Sequence, residues 1–88
     1  MLHSEVSWAG EGRYPLTDGL VLGRSPECGL MLDDGGLSRH HASFERENEG
    51  WLVKDLGSHN GTFVQGRALQ NQARLEDGHI IRAGRSLL

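Results

Sequence analysis

The stretch Ala42-Ser43-Phe44-Glu45-Arg46-Glu47, followed by Asn48-Glu49-Gly50 and then Trp51-Leu52-Val53, decides how this chain folds. Its first six residues alternate small or apolar side chains with polar ones, the two-residue period of a half-buried strand. Asn48-Glu49-Gly50 supplies a hairpin turn into the returning strand that begins at Trp51. Outward from this hairpin, further runs of strand length recur: Leu2–Trp8, Leu20–Leu22, Leu30–Leu32, Thr62–Val64 and His79–Arg82, while the two central runs extend over His41–Glu47 and Trp51–Leu56. Thirteen glycines against two prolines fall between and around these runs. Glycine is the poorest helix former after proline, so a helical bundle is excluded. Gln65–Glu76 is the one segment that reads as a helix, and Gly66 and Asn71 weaken it. Short strands separated by frequent turn signals predict an all-β sandwich or barrel.

Length and charge narrow the function. Eighty-eight residues allow one domain, and no internal repeat or linker interrupts them, so residues 1–88 are read as a single unit. Nine Lys+Arg against 12 Asp+Glu give a net charge of −3, which argues against a nucleic-acid binder. The single Cys28 excludes an intramolecular disulfide and a cysteine-only zinc site, and is expected as a buried or half-buried free thiol. No apolar run approaches the roughly 18–20 residues that would cross a bilayer. His3, Ser4 and Glu5 interrupt any signal-peptide core. A soluble, cytoplasmic module is the expectation.

The chemically distinctive residues fall in loops. Three clusters stand out: Gly23-Arg24-Ser25, Ser38-Arg39-His40-His41, and Ser58-His59-Asn60-Gly61-Thr62. Each adjoins a strand, where a rigid scaffold displays its binding groups. They share cationic and hydroxyl donors, few acceptors, and glycines that let backbone approach closely. The guanidinium forks of Arg24 and Arg39 suit a phosphate or carboxylate. Ser38 adds a hydroxyl donor, His59 and Asn60 add donors for a peptide backbone, and Gly61 permits a positive-φ turn. An acidic chain with its loop arginines gathered in this way suits one local anion rather than a polyanion.

Taken together and in order, Gly23-Arg24-Ser25-Pro26, Leu32-Asp33-Asp34 leading into Ser38-Arg39-His40-His41-Ala42, and Asp55-Leu56-Gly57-Ser58-His59-Asn60-Gly61-Thr62-Phe63-Val64 resemble the forkhead-associated (FHA) domain family. The match runs from about Tyr14 to Arg85. The resemblance implies a β-sandwich of about eleven short strands whose loops at one end bind phosphothreonine peptides, without catalysis, cofactor or metal. It implies that Arg24 and Ser38 contact the phosphate, that Arg39 adds charge beside them, and that Asn60, with His59 next to it, holds the peptide backbone. Gly23, His41, Gly61 and Thr62 would support the site, with His41 buried beneath it. The chain departs from the family at Gly35-Gly36, which is expected to loosen the loop before Ser38, and at Gln65-Gly66, a weaker turn former than Asn-Gly. It also stops at Leu87-Leu88, where relatives continue their last strand, so a domain trimmed at its C-terminal strand is expected.

The remaining residues have plainer readings. Trp8 and Trp51 are expected in the core, His40 on the solvated face, and Asp33 and Asp34 facing apart to cap a loop. A hydrolase or metalloenzyme built on Ser38, His40, His41, His59 and Asp55 fails on geometry, because adjacent strand histidines face apart and no His-x-x-x-His or Cys pair is present. A scaffold of the same fold that docks an unphosphorylated partner is the alternative. The presence of Arg24, Ser38 and Asn60 favours a monomeric phosphothreonine reader, whose partners are substrates of Ser/Thr kinases or a phosphorylated segment of its own parent protein.

Overall fold

A computed structural model describes residues 5–8, 12–48, 50–75, 79–84 and 86–88. Among them the chain forms eleven strands and no helix: β1 (Glu5–Trp8), β2 (Gly12–Pro15), β3 (Leu20–Gly23), β4 (Leu30–Met31), β5 (Ala42–Glu47), β6 (Gly50–Asp55), β7 (Thr62–Val64), β8 (Arg67–Ala68), β9 (Gln72–Leu75), β10 (Ile81–Ala83) and β11 (Ser86–Leu87). They assemble into a five-stranded sheet ordered β4-β3-β5-β6-β9, a four-stranded sheet ordered β11-β10-β7-β8, and the β1-β2 hairpin. Ten of these strands pair with their neighbours antiparallel; β4 joins β3 in parallel register.

The β5–β6 hairpin is the centre of the larger sheet, with Glu47 opposite Gly50 and Ala42 opposite Asp55. Asn48 takes the left-handed conformation that such a tight turn demands, at φ 53°. The two-residue period then sorts the side chains. Ala42, Phe44, Trp51 and Val53 face inward, where they meet Leu20 and Leu22 from β3 and Val64, Ile81 and Ala83 from β7 and β10. Leu30, Leu32 and Leu37 complete this core. Phe44 and Val53 are fully buried, and burying one such side chain stabilises the fold by about 1.5–3 kcal/mol. The opposite face carries polar partners such as the Lys54–Glu45 ion pair at 3.1 Å, while Arg46, cross-strand from Trp51 on the inner face, lies over the Trp51 ring at the end of the hairpin. Trp51 is a core residue as expected, whereas the Trp8 side chain lies outside the described residues.

Over its described residues, 65–75, the segment that reads as a helix is a turn and two strands. Gln65 and Gly66 both have positive φ, 52° and 79°, and close the β7–β8 hairpin with Val64 opposite Arg67. Gln65 accepts this disfavoured backbone while its side-chain oxygen receives the Ile80 N–H and its own N–H donates to the Ile80 carbonyl. The following Gln72-Ala73-Arg74-Leu75 alternates: Ala73 and Leu75 pack against the core and Gln72 and Arg74 face water. Pairing with β6 settles the matter, because a strand there covers an otherwise open sheet edge.

Candidate functional site

The three loop clusters converge at one end of the sheets. After β3 the chain runs beside the Ser38–Arg39 segment: the Arg24 N–H donates to the Ser38 carbonyl at 3.0 Å and the Ser25 N–H to the Arg39 carbonyl at 3.1 Å. The approach is so close that a Cβ on Gly23 would lie 2.0 Å from the Arg39 carbonyl oxygen. Only glycine fits at position 23. The buried Cys28 thiol donates to that same Arg39 carbonyl at 3.0 Å, and burial pushes its pKa up, so it is a structural thiol.

Arg24 is exposed, but its Nε donates to the Leu37 carbonyl at 3.1 Å. That bond aims the guanidinium while its terminal nitrogens remain available to a ligand. Ser38 lies one residue further on. Its hydroxyl oxygen accepts the His59 backbone N–H at 2.9 Å, which leaves the hydroxyl proton to be donated outward. Arg39 and His59 are both exposed beside it.

His41 lies fully buried under the loops and joins two of them. The Ser38 N–H donates to its Nδ1 at 3.0 Å, so the ring proton resides on Nε2, which donates to the Gly61 carbonyl at 2.9 Å. The imidazole therefore touches the Ser38 backbone and not its hydroxyl. No Ser–His general-base pair forms here. His40, its neighbour, turns outward and lies 3.6 Å from Glu27.

The third loop has its own brace, which sequence reasoning overlooked. Asp55 closes β6, and its carboxylate accepts the Gly57 and Ser58 backbone N–H groups, the Ser58 hydroxyl, and the Thr62 hydroxyl at 2.7 Å. The Ser58 hydroxyl oxygen in turn accepts the Gly61 N–H at 3.0 Å. Burial alone would raise the Asp55 pKa, but the hydrogen bonds from Ser58 and Thr62 outweigh it and hold the carboxyl below its ordinary value of 3.8. The signal was present in the sequence as an aspartate followed two and three residues later by turn-forming Gly57 and Ser58. Gly61 turns the chain at φ 82°, and Asn60 is presented at the surface with its Nδ2 donating to the Gly36 carbonyl at 2.8 Å.

That last bond corrects the expectation for Gly35-Gly36. The loop is tied rather than loose. Asp34, buried as its neighbour Asp33 is not, accepts the Gly36 N–H at 2.8 Å and the Ser86 hydroxyl at 2.7 Å. Gly36 also abuts Gly84, where a Cβ would lie 2.8 Å from the Gly36 carbonyl carbon. Here glycine permits close packing of two loops, a use that two adjacent glycines in a sequence do not distinguish from flexibility.

The site thus brings together Arg24, Ser38, Arg39, His59 and Asn60, over a brace of buried His41 and Thr62 and half-buried Asp55. Cationic and hydroxyl donors lie outward and the acceptors are spent inward, an arrangement that suits a compact anion attached to an extended chain.

Comparisons with known proteins bear on the family and the fold. The family model for the FHA domain matches residues 20–84. Over 63 residues the chain is 41% identical to the glycogen accumulation regulator GarA of Mycobacterium tuberculosis, covering 72% of this chain and 38% of GarA. The oxoglutarate dehydrogenase inhibitor of Corynebacterium jeikeium is likewise 41% identical over 63 residues, covering 72% of this chain and 43% of the inhibitor. The chain therefore spans about two fifths of the length of these relatives. An FHA domain solved in work on phosphothreonine-dependent FHA domain interactions superposes with a TM-score of 0.83 at 32% identity, over 90% of this chain and 82% of that one.

Proposed function

Because the chain belongs to the FHA domain family, we propose that it is a phosphothreonine-peptide-binding module that recruits partners phosphorylated by Ser/Thr kinases, or a phosphorylated segment of its parent protein. The observation that carries this reading is the pairing of an aimed guanidinium with a pre-polarised hydroxyl. Arg24 is held by the Leu37 carbonyl, and Ser38 is held by the His59 N–H with its proton free to point outward. A phosphothreonine presents about −1.5 to −2 charge and strong acceptor oxygens. Charge-assisted hydrogen bonds at roughly 1.5–3 kcal/mol each account for much of a micromolar affinity of about −8 kcal/mol.

Arg39 supplies further positive charge, Asn60 and His59 engage the peptide backbone beside the phosphothreonine, and Gly23, His41, Gly61 and Thr62 keep the loops in register. Residues 1–88 act in this reading as one binding domain, monomeric and cytoplasmic, that needs neither metal nor cofactor and performs no catalysis. Among the described residues no helix is long and apolar enough to cross a membrane. Preference for threonine over serine rests on the γ-methyl, whose burial contributes about 0.8 kcal/mol, roughly fourfold in affinity.

The test is a titration of a degenerate phosphothreonine peptide library against wild type, Arg24→Ala and Ser38→Ala. Wild type binds and both variants lose binding while remaining folded. Equal binding by all three proteins, or equal binding of unphosphorylated peptides, overturns the reading in favour of a phospho-independent scaffold.

A further inference from the structure

Of the asparagines Asn48, Asn60 and Asn71, only Asn60 precedes a glycine. That pairing has covalent chemistry of its own. Once the Gly61 backbone nitrogen loses its proton to solvent base, it can attack the Asn60 side-chain carbonyl carbon, because Gly61 has no side chain to obstruct the approach. The new bond from nitrogen to Cγ closes a cyclic succinimide. The bond from Cγ to Nδ2 breaks, and the amide nitrogen takes a proton from water and leaves as ammonia. Water then opens either carbonyl of the ring, giving aspartate or, with the backbone rerouted through the side chain, isoaspartate. Nothing is oxidised or reduced, and water is the co-reactant. Asn60 is exposed in its loop, so water reaches it.

In the folded chain both reacting groups are held elsewhere. The Gly61 N–H donates to the Ser58 hydroxyl oxygen at 3.0 Å, and that hydroxyl donates in turn to the Asp55 carboxylate. The Asn60 Nδ2 donates to the Gly36 carbonyl at 2.8 Å, and the Gly61 carbonyl accepts from the His41 Nε2 at 2.9 Å. Attack therefore requires a local opening in which the Gly61 N–H leaves Ser58 and the Asn60 amide leaves Gly36. We propose that Asn60 is a site of spontaneous deamidation and that the Ser58 hydroxyl is the group that restrains it in the folded protein. The place gives the product its effect. Conversion replaces the donor to the Gly36 carbonyl with a carboxylate, and it sets a negative charge among residues gathered for an anion. Isoaspartate also lengthens the backbone by a methylene and moves Gly61 away from Ser58 and His41. Loss of ligand binding on conversion rests on the phosphopeptide reading above; the covalent step does not.

Peptide-mapping mass spectrometry follows the amide-to-acid mass gain at each asparagine while the protein is incubated at mildly alkaline pH. Wild type and Ser58→Ala are compared, each folded in buffer and unfolded in guanidinium chloride. Conversion is expected at Asn60 ahead of Asn48 and Asn71, and roughly tenfold more slowly in folded than in unfolded wild type. Folded Ser58→Ala converts roughly fivefold faster than folded wild type, the scale of one hydrogen bond, and Ser58→Thr restores the wild-type rate. Equal rates in folded and unfolded wild type, no conversion at Asn60 in the unfolded chain, or a Ser58→Ala rate equal to that of wild type overturns the proposal. Hydrogen exchange at the Gly61 amide of wild type decides the role of Ser58 even where Ser58→Ala fails to fold: an unprotected amide overturns it. Fluorescence anisotropy with a phosphothreonine peptide reads the consequence. Asn60→Asp binds roughly tenfold more weakly than wild type, and equal binding overturns the effect assigned to conversion. Wild type without phosphorylation-dependent binding overturns the phosphopeptide reading instead, and the mass measurements still decide the covalent step.

Discussion

The Ser38 hydroxyl oxygen accepts the backbone N–H of His59 at 2.9 Å, a bond that joins two loops 21 residues apart in sequence. One atom thereby braces the site and leaves its proton available to the ligand. Ser38→Ala removes both contributions. Phosphopeptide affinity is expected to fall at least tenfold, the weight of one charge-assisted hydrogen bond, while stability changes by only about 1 kcal/mol. Titration calorimetry and thermal melts on the same preparations measure the two effects; a large loss of stability with binding retained in the folded fraction would contradict this division.

His41→Leu tests the buried brace. The substitution puts an apolar side chain of similar bulk in place of the imidazole and leaves the Ser38 N–H and the Gly61 carbonyl without that partner beneath the loops. Each buried unsatisfied group costs about 1–3 kcal/mol, so urea denaturation should show a loss of roughly 2–6 kcal/mol. Binding should fall with it, since the imidazole holds the Ser38 loop against the Gly61 turn.

Asp55 gives the fold an acid-sensitive element. Its carboxyl is held below the ordinary value of 3.8, with burial opposing and the Ser58 and Thr62 hydrogen bonds prevailing. A depressed native pKa contributes stability above the unfolded value, which is lost as pH falls through the native one. The stability difference between wild type and Asp55→Asn should therefore be constant near neutrality and narrow as pH drops below about 3.8. A difference that stays constant, or widens, through that range contradicts the assignment.

Gly23 and Gly35 make a matched pair. A methyl at Gly23 would lie 2.0 Å from the Arg39 carbonyl oxygen, whereas one at Gly35 meets nothing within 4 Å. Gly23→Ala should destabilise by about 1–3 kcal/mol or more, because backbone has to move. Gly35→Ala should be neutral or stabilising by up to about 1 kcal/mol through the unfolded chain. Thermal melts of the two variants, compared side by side, distinguish close packing from mere looseness.

These residues also show what the sequence could and could not convey. The alternation in Ala42–Glu47 and the turn at Asn48 identified the central hairpin, because period and turn chemistry are local properties. The loop residues Arg24, Ser38 and Asn60 were legible from their order and spacing. Gln72–Leu75 was ambiguous in isolation, since four alternating residues gain meaning only when β6 offers an edge to pair with. Gly36 was misjudged for a related reason: its packing partner Gly84 is distant in sequence, so close contact and flexibility look alike. Asp55 enters the sequence reading only as part of the Asp55–Val64 motif and of the rejected hydrolase or metalloenzyme, although its spacing to Ser58 and Thr62 is that of a loop organiser.

The central claim, that the phosphate lies between Arg24 and Ser38, is tested most directly by nuclear magnetic resonance. Backbone amide shifts are followed while a phosphothreonine peptide, and then its unphosphorylated counterpart, is titrated into the labelled protein. The phosphopeptide is expected to move the amides of Arg24, Ser38, Arg39, His59, Asn60 and Gly61, leaving those of β6 and β9 in place, and the unphosphorylated peptide should move none. Shifts centred on β6 and β9, or the same shifts from both peptides, would contradict the account.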